Sequence, residues 1–335
     1  MLTTRERFHA VMAGRPVDRL PVIEWANWWS QTIARWHTEG LPADLTDRYD
    51  IARHFGLDTY KQAWLRSVHP DAPQPVSHGA GIIQTEFDYD RLQPFLFQLR
   101  DDWPINPTQW RQWAEEQKRG EAVLWFTVDG FFWLPRVLLG IERHLYAFYD
   151  QPSLMQQINA ENARWMIRLI DRVCEFCVPD FMTFAEDLSY NHGPMLSAEL
   201  FEEFLAPYYR QVIPHLRARG IIPIVDSDGD IAPVAPWFEA VGMAGILPLE
   251  RQAGVDVVAL RQKHPALNWI GAFDKLVLHR GEAAIRAEFE RLLPATQGGH
   301  LLISCDHQTP PGVSYQDYKL YLRLFHEYAA KAARQ

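Results

Sequence analysis

FMTFAED (181–187), IIPIVDSDGD (221–230), AGILPLE (244–250), LNWIGAFD (267–274) and HLLISCDH (300–307) follow one another through the second half of the chain. Stretches with helical spacing separate them, over 198–219, 233–241, 255–263 and 282–293, and a last helix is expected over 314–333. The five runs are short, apolar and without period-2 alternation. Strands of that kind are buried on both faces, which is the condition of a parallel sheet between helices. The first half continues the alternation less clearly. VIEW (22–25) reads as a strand after the Pro16–Pro21 turn, a poorly defined strand lies near 57–65, and AVLWFTVD (122–129) is a strong one. Thr4 is placed to cap an opening helix that Gly14 and Pro16 stop, and further helices are expected over 28–37, 44–55, 110–119, 133–149 and 153–177. Eight βα units in 335 residues predict a (β/α)₈ TIM barrel. Residues 67–110, rich in Pro, Asp and Gln, read as an irregular insertion near the second strand, with a hairpin at GIIQTEFDY (81–89). The whole chain 1–335 is expected to be one domain. No G-x-G-x-x-G follows the first strand and no G-x-x-x-x-G-K-[ST] occurs, which weighs against an open nucleotide-binding sheet.

Composition narrows the function. Hydrophobic residues make up 47% and charged residues 22%, which excludes a disordered chain. A net charge of −9 speaks against nucleic acid as partner. No apolar run is long enough to span a membrane, and MLTTRERFHAVMAGRP lacks the apolar core of a signal peptide. Three cysteines, at 174, 177 and 305, fit a reducing compartment, so a cytoplasmic location is expected. Cys174 and Cys177, three apart in an expected helix, read as a core contact. The 13 tryptophans are numerous enough to wall a pocket as well as fill a core.

In a barrel the chemistry sits at the C-terminal strand ends. Seven of the eight expected strands end at a carboxylate: Glu24, Asp129, Glu186 followed by Asp187, Asp226 with Asp228, Glu250, Asp274, and Asp306. Any one aspartate there serves as well for capping the next helix, but capping does not account for glutamate at 24, 186 and 250. Crowded carboxylates repel, so the mouth calls for a cation, shared protons or a positive substrate group. The fifth and eighth strands face each other across a closed barrel, which would bring Asp226, Asp228, Cys305 and His307 together as ligands for zinc or another divalent metal. The alternative is a buried Cys305 and a hydrogen-bonded loop histidine. Glu186, Asp187, His192, Asp228 and His307 are the candidate acid–base groups, with a turn-stabilising role equally open to His192. Trp28, Trp64 and Trp133, with Glu24, Asp129, Glu250 and Asp274, are the candidate substrate-binding residues; the rings would suit an aryl or cationic ligand.

The chain resembles the uroporphyrinogen decarboxylase superfamily, which includes methyltransferases that work with corrinoid proteins. RERFHAVMAGRPVDRLPV (5–22) looks like the opening helix and first strand, residues 184–220 like the central strand–loop–helix block, and IGAFDK (270–275) and 300–318 like the last strands. The resemblance implies a TIM barrel over nearly the whole chain. Decarboxylases of the family carry an Arg-x-x-Gly-Arg stretch after the first strand and an aspartate at the end of the second. Here the first place reads from Glu24 to Trp29 and the second from Tyr60 to Arg66, and neither motif is present. His307 matches a functional decarboxylase position. The zinc methyltransferases use His-x-Cys-Gly on strand five and a cysteine on strand eight; Asp226-Ser227-Asp228-Gly229 replaces the first, and Cys305 matches the second. The resemblance therefore implies a methyltransferase that demethylates a small methylated substrate and passes the group to a separate corrinoid protein. A decarboxylase or lyase of a small acid and a non-catalytic binding barrel are the alternatives, and a homodimer is left open.

Overall fold

The computed structural model describes residues 1–77 and 79–334. Its centre is a curled sheet of seven parallel strands: β1 (Thr59–Trp64), β2 (Ala122–Asp129), β3 (Phe181–Ala185), β4 (Ile222–Asp226), β5 (Gly245–Leu247), β6 (Asn268–Phe273) and β7 (Leu301–Cys305). Neighbours in space are neighbours in sequence, in the order β1 to β7. Helices follow the strands, as the alternation predicts. Every residue of β2, β3, β6 and β7 is buried, which is why these strands are apolar on both faces. The architecture is TIM-barrel-like.

The eighth strand expected at 22–25 forms no ladder among the described residues. The backbone there is extended and buried, but its amides bond to side chains. Val22 N donates to the Asp58 carboxylate at 2.8 Å, and Trp25 N to Ser304 Oγ at 3.2 Å. Those partners lie just before β1 and on β7, so the segment occupies the gap between the sheet edges without the paired bonds of a strand. The opening helix spans Thr4–Met12, and its N-cap is Thr3, not Thr4: the Thr3 side chain accepts from Glu6 N. The hairpin expected at 81–89 is absent, because Thr85 caps a helix over Glu86–Leu92. Cys174 ends the helix Pro152–Cys174, so Cys177 lies beyond it.

The rings of Trp25, Trp125 and Phe181 fill the barrel interior, with centroids 4.8–5.5 Å apart. Phe8 caps them from below, 5.4 Å from Phe181. At that lower face buried Asp180 accepts from Arg5 Nε, Gln117 Nε2 and Leu124 N at 2.7–3.0 Å and faces His9 Nε2 at 2.6 Å. These contacts tie the opening helix to β2 and hold the carboxyl below its usual range despite burial. The plug leaves the upper, C-terminal end as the open one. No described helix is long and apolar enough to cross a membrane.

Candidate active site

The sheet register sets the rim. Asp129 pairs with Ala185, Ala185 with Asp226, and Asp226 with Leu247, so these residues form one row at the C-terminal ends of β2–β5. Above that row lies a cavity of about 340 Å³. Side chains two residues apart enter it from three strands, the spacing that keeps a strand on one face: Gln62, Trp64 and Arg66 from β1 and its end, Asp226 and Asp228 from β4, Cys305 and His307 from β7.

Asp187, Asp226 and Asp228 form its acidic side. Asp187, at φ 39°, accepts from Asp228 N at 3.1 Å. Burial, with Asp228 beside it, pushes its carboxyl up to about 6. Asp226 rises well above the carboxylate range, first by burial and then by Asp187 and Asp228. Its carboxyl oxygens make no hydrogen bond among the described residues. His307 Nε2 lies 3.6 Å from Asp228 Oδ2, and this contact outweighs burial and raises the imidazole. Gly229 shapes the turn: at φ 84° a Cβ would meet the Ser189 carbonyl oxygen at 2.7 Å. Its N–H donates to Glu250 Oε2 at 3.1 Å.

Several expected site residues point elsewhere. Glu186 is fully buried and clamps the loop after β2, accepting from Phe131 N at 2.8 Å, Phe132 N at 2.7 Å, Trp133 N at 3.2 Å and the Tyr209 hydroxyl. A Cβ on Gly130 would fall 2.1 Å from this carboxylate, so only glycine fits there. Glu24 is buried behind β7, where it accepts from Ser304 Oγ, Cys305 N and the Tyr321 hydroxyl. Asp129 is buried and pairs with Arg66. Asp274 caps the short turn after β6 by accepting from Leu276 N at 2.8 Å. His192 is exposed at a hairpin turn, edge-on to Tyr190. Trp28 is core, packed on Trp36, Phe55 and Tyr318. Trp64 and Trp133 do face the cavity.

The metal set also differs. The donor atoms of Asp228, Glu250 and His307 lie within 4.8 Å of one another. Asp226 and Cys305 are not in that group, although both face the cavity. Burial, then Glu24 and Asp306, push the Cys305 thiol far up. Zinc would have to displace the proton of that buried thiol on binding, and Cys305 lies outside the three-donor group.

Sequence reasoning missed two cations. Arg48 opens the helix Arg48–His54 and Arg66 follows β1; both line the cavity. The period-2 series 62, 64, 66 was the available signal for Arg66. The mouth is therefore not uniformly acidic: β1 supplies a basic wall, β3 and β4 the acidic one.

A family model for uroporphyrinogen decarboxylase (URO-D) matches residues 114–328. No curated protein sequence matches the chain. Among solved structures, a methyltransferase from Methanosarcina mazei matches with TM-score 0.69 and 14% identity, over 98% of this chain and 99% of that one. A candidate vitamin-B12-independent methionine synthase from Listeria monocytogenes matches with TM-score 0.47 and 11% identity, over 94% of this chain and 98% of that one. At these identities the likeness is one of fold.

Proposed function

The chain belongs to the uroporphyrinogen decarboxylase family, and on that premise we propose that it removes a methyl group from a small methylated compound, with a separate corrinoid protein as acceptor. One observation carries this reading. A cavity walled by Trp64 and Trp133 has at one side three carboxylates of which two, Asp187 and Asp226, are held above the usual range. The oxygen of a methyl ether departs far more readily when it gains a proton, and a buried acid whose protonated form is favoured supplies it. Asp226 is placed to be that acid: burial first, then Asp187 and Asp228, favour its protonated form. The indole rings hold the flat part of the substrate so that the methyl group faces the open mouth. The acceptor, when bound there, takes the methyl group. In the balance, the methyl carbon leaves with no electron pair, the oxygen keeps the pair, and the proton of Asp226 neutralises it.

The His307–Asp228 pair, together with the basic wall, favours a second reading, decarboxylation of a small acid with protonated His307 as the donor to the product carbon. Incubation of the purified protein with methoxyaryl and methylammonium compounds and a reduced corrinoid protein separates the two. Demethylated product is the expected result. Release of carbon dioxide from a small acid with no methyl transfer would overturn the first reading in favour of the second.

A further inference from the structure

We propose that the methylated substrate carries a carboxylate, which Arg48 and Arg66 bind at the opposite wall from the carboxylates that act on its methyl-bearing end. The proposal rests on the demethylation reading and names its substrate class. Both guanidinium groups are held from behind with donors to spare. Arg48 gives its Nη2 to the Gln62 carbonyl at 2.9 Å and to the Tyr49 hydroxyl, and its carbon lies 4.7 Å from the Tyr49 ring centroid. Its Nε and Nη1 have no partner, and it forms no ion pair, among the described residues. Arg66 gives Nη1 to Asp129 and stacks on Trp64 at 4.3 Å. Its Nε and Nη2 are likewise unengaged among the described residues. A guanidinium fixed by an aromatic ring and acceptors on one nitrogen presents its remaining N–H groups in the planar fork that matches a carboxylate.

The sheet order supplies the separation. β1 and β3 are two strands apart and β1 and β4 three, so the basic and acidic walls stand roughly 10–14 Å apart along the curved sheet at about 4.8 Å per strand. A single substituted ring fits a cavity of about 340 Å³. The arrangement suits a methoxyaryl acid lying between Trp64 and Trp133 with its carboxylate on the arginines.

The test is calorimetric titration of the full chain with the three methoxybenzoate isomers and with their neutral amides. At least one acid is expected to bind tenfold or more tightly than its amide. Arg48→Gln and Arg66→Lys should each erode that preference by about tenfold while leaving amide binding unchanged. The lysine keeps a cation beside buried Asp129, and thermal melts of both variants check that the fold is retained. Equal binding of acid and amide, a preference unmoved by both substitutions, or no acid binding at millimolar concentration would each overturn the proposal. The demethylation assay with the same compounds keeps the two readings apart. A preference for the acid without methyl transfer removes only the function, and methyl transfer without a preference removes only this inference.

Discussion

Asp226→Asn is expected to melt higher than the wild type at pH 8 and to lose methyl transfer. Folded Asp226 and Asp187 hold protons at pH values where the unfolded chain has released them. Stability therefore falls as pH rises from the unfolded aspartate value of about 3.9. The loss runs through about 6 for Asp187, and Asp226, whose carboxyl is also raised, adds to it. The amide removes that penalty, so the gain, on the order of 2 °C, appears at pH 8 and vanishes near pH 4. A melting-temperature profile against pH for both proteins checks it; parallel profiles would contradict the assignment. At this scale the sequence is an incomplete guide. That carboxylates crowd the rim is legible in the strand ends, but which ones face the cavity is not. Glu186 and Asp187 are adjacent, yet one is spent on three backbone N–H groups and the other lines the cavity. That division depends on the path of the 130–133 loop, which no local pattern encodes.

The loop after β2 is held by Glu186, and its failure would be felt at the site. Glu186→Ala leaves three amides and a tyrosine hydroxyl without their acceptor in a buried setting, which costs about 3 kcal/mol or more. Trp133 hangs on the same loop, so the variant should lose ligand affinity as well as stability, measured by calorimetry and denaturant unfolding together. Strands β2 to β7 were readable because burial on both faces writes an unbroken apolar run. The segment at 22–25 has the same composition and was misread for that reason. Its Val22 and Trp25 amides go to the Asp58 and Ser304 side chains, so apolar character there reports burial and not pairing. Arg48 was invisible because it lies in a helix, outside the strand ends where function was sought.

Taken whole, the molecule has its candidate site at the C-terminal end of the sheet, and at the other end Asp180 joins the opening helix to β2. Membership in the family does not carry the family's named reaction with it. A tetrapyrrole with eight carboxylates is larger than a cavity of about 340 Å³, and the acidic side at Asp187 and Asp228 disfavours so many negative groups. The protein is expected to leave uroporphyrinogen unchanged in a decarboxylation assay that a true decarboxylase completes; turnover would refute the size argument.

The aromatic plug beneath the cavity has an optical consequence. The indoles of Trp25 and Trp125 lie 5.1 Å apart at a tilt of 59°. Two like chromophores that close and that skewed share their excitations, and a coupled pair of this kind gives a two-signed circular-dichroism band that neither ring shows alone. Trp25 also lines the cavity, so the band is a built-in gauge. Trp125→Phe should remove this pair's share of the band and leave the shares of Trp28–Trp36 and Trp110–Trp113, and a ligand settling on Trp25 should change the first share without any label.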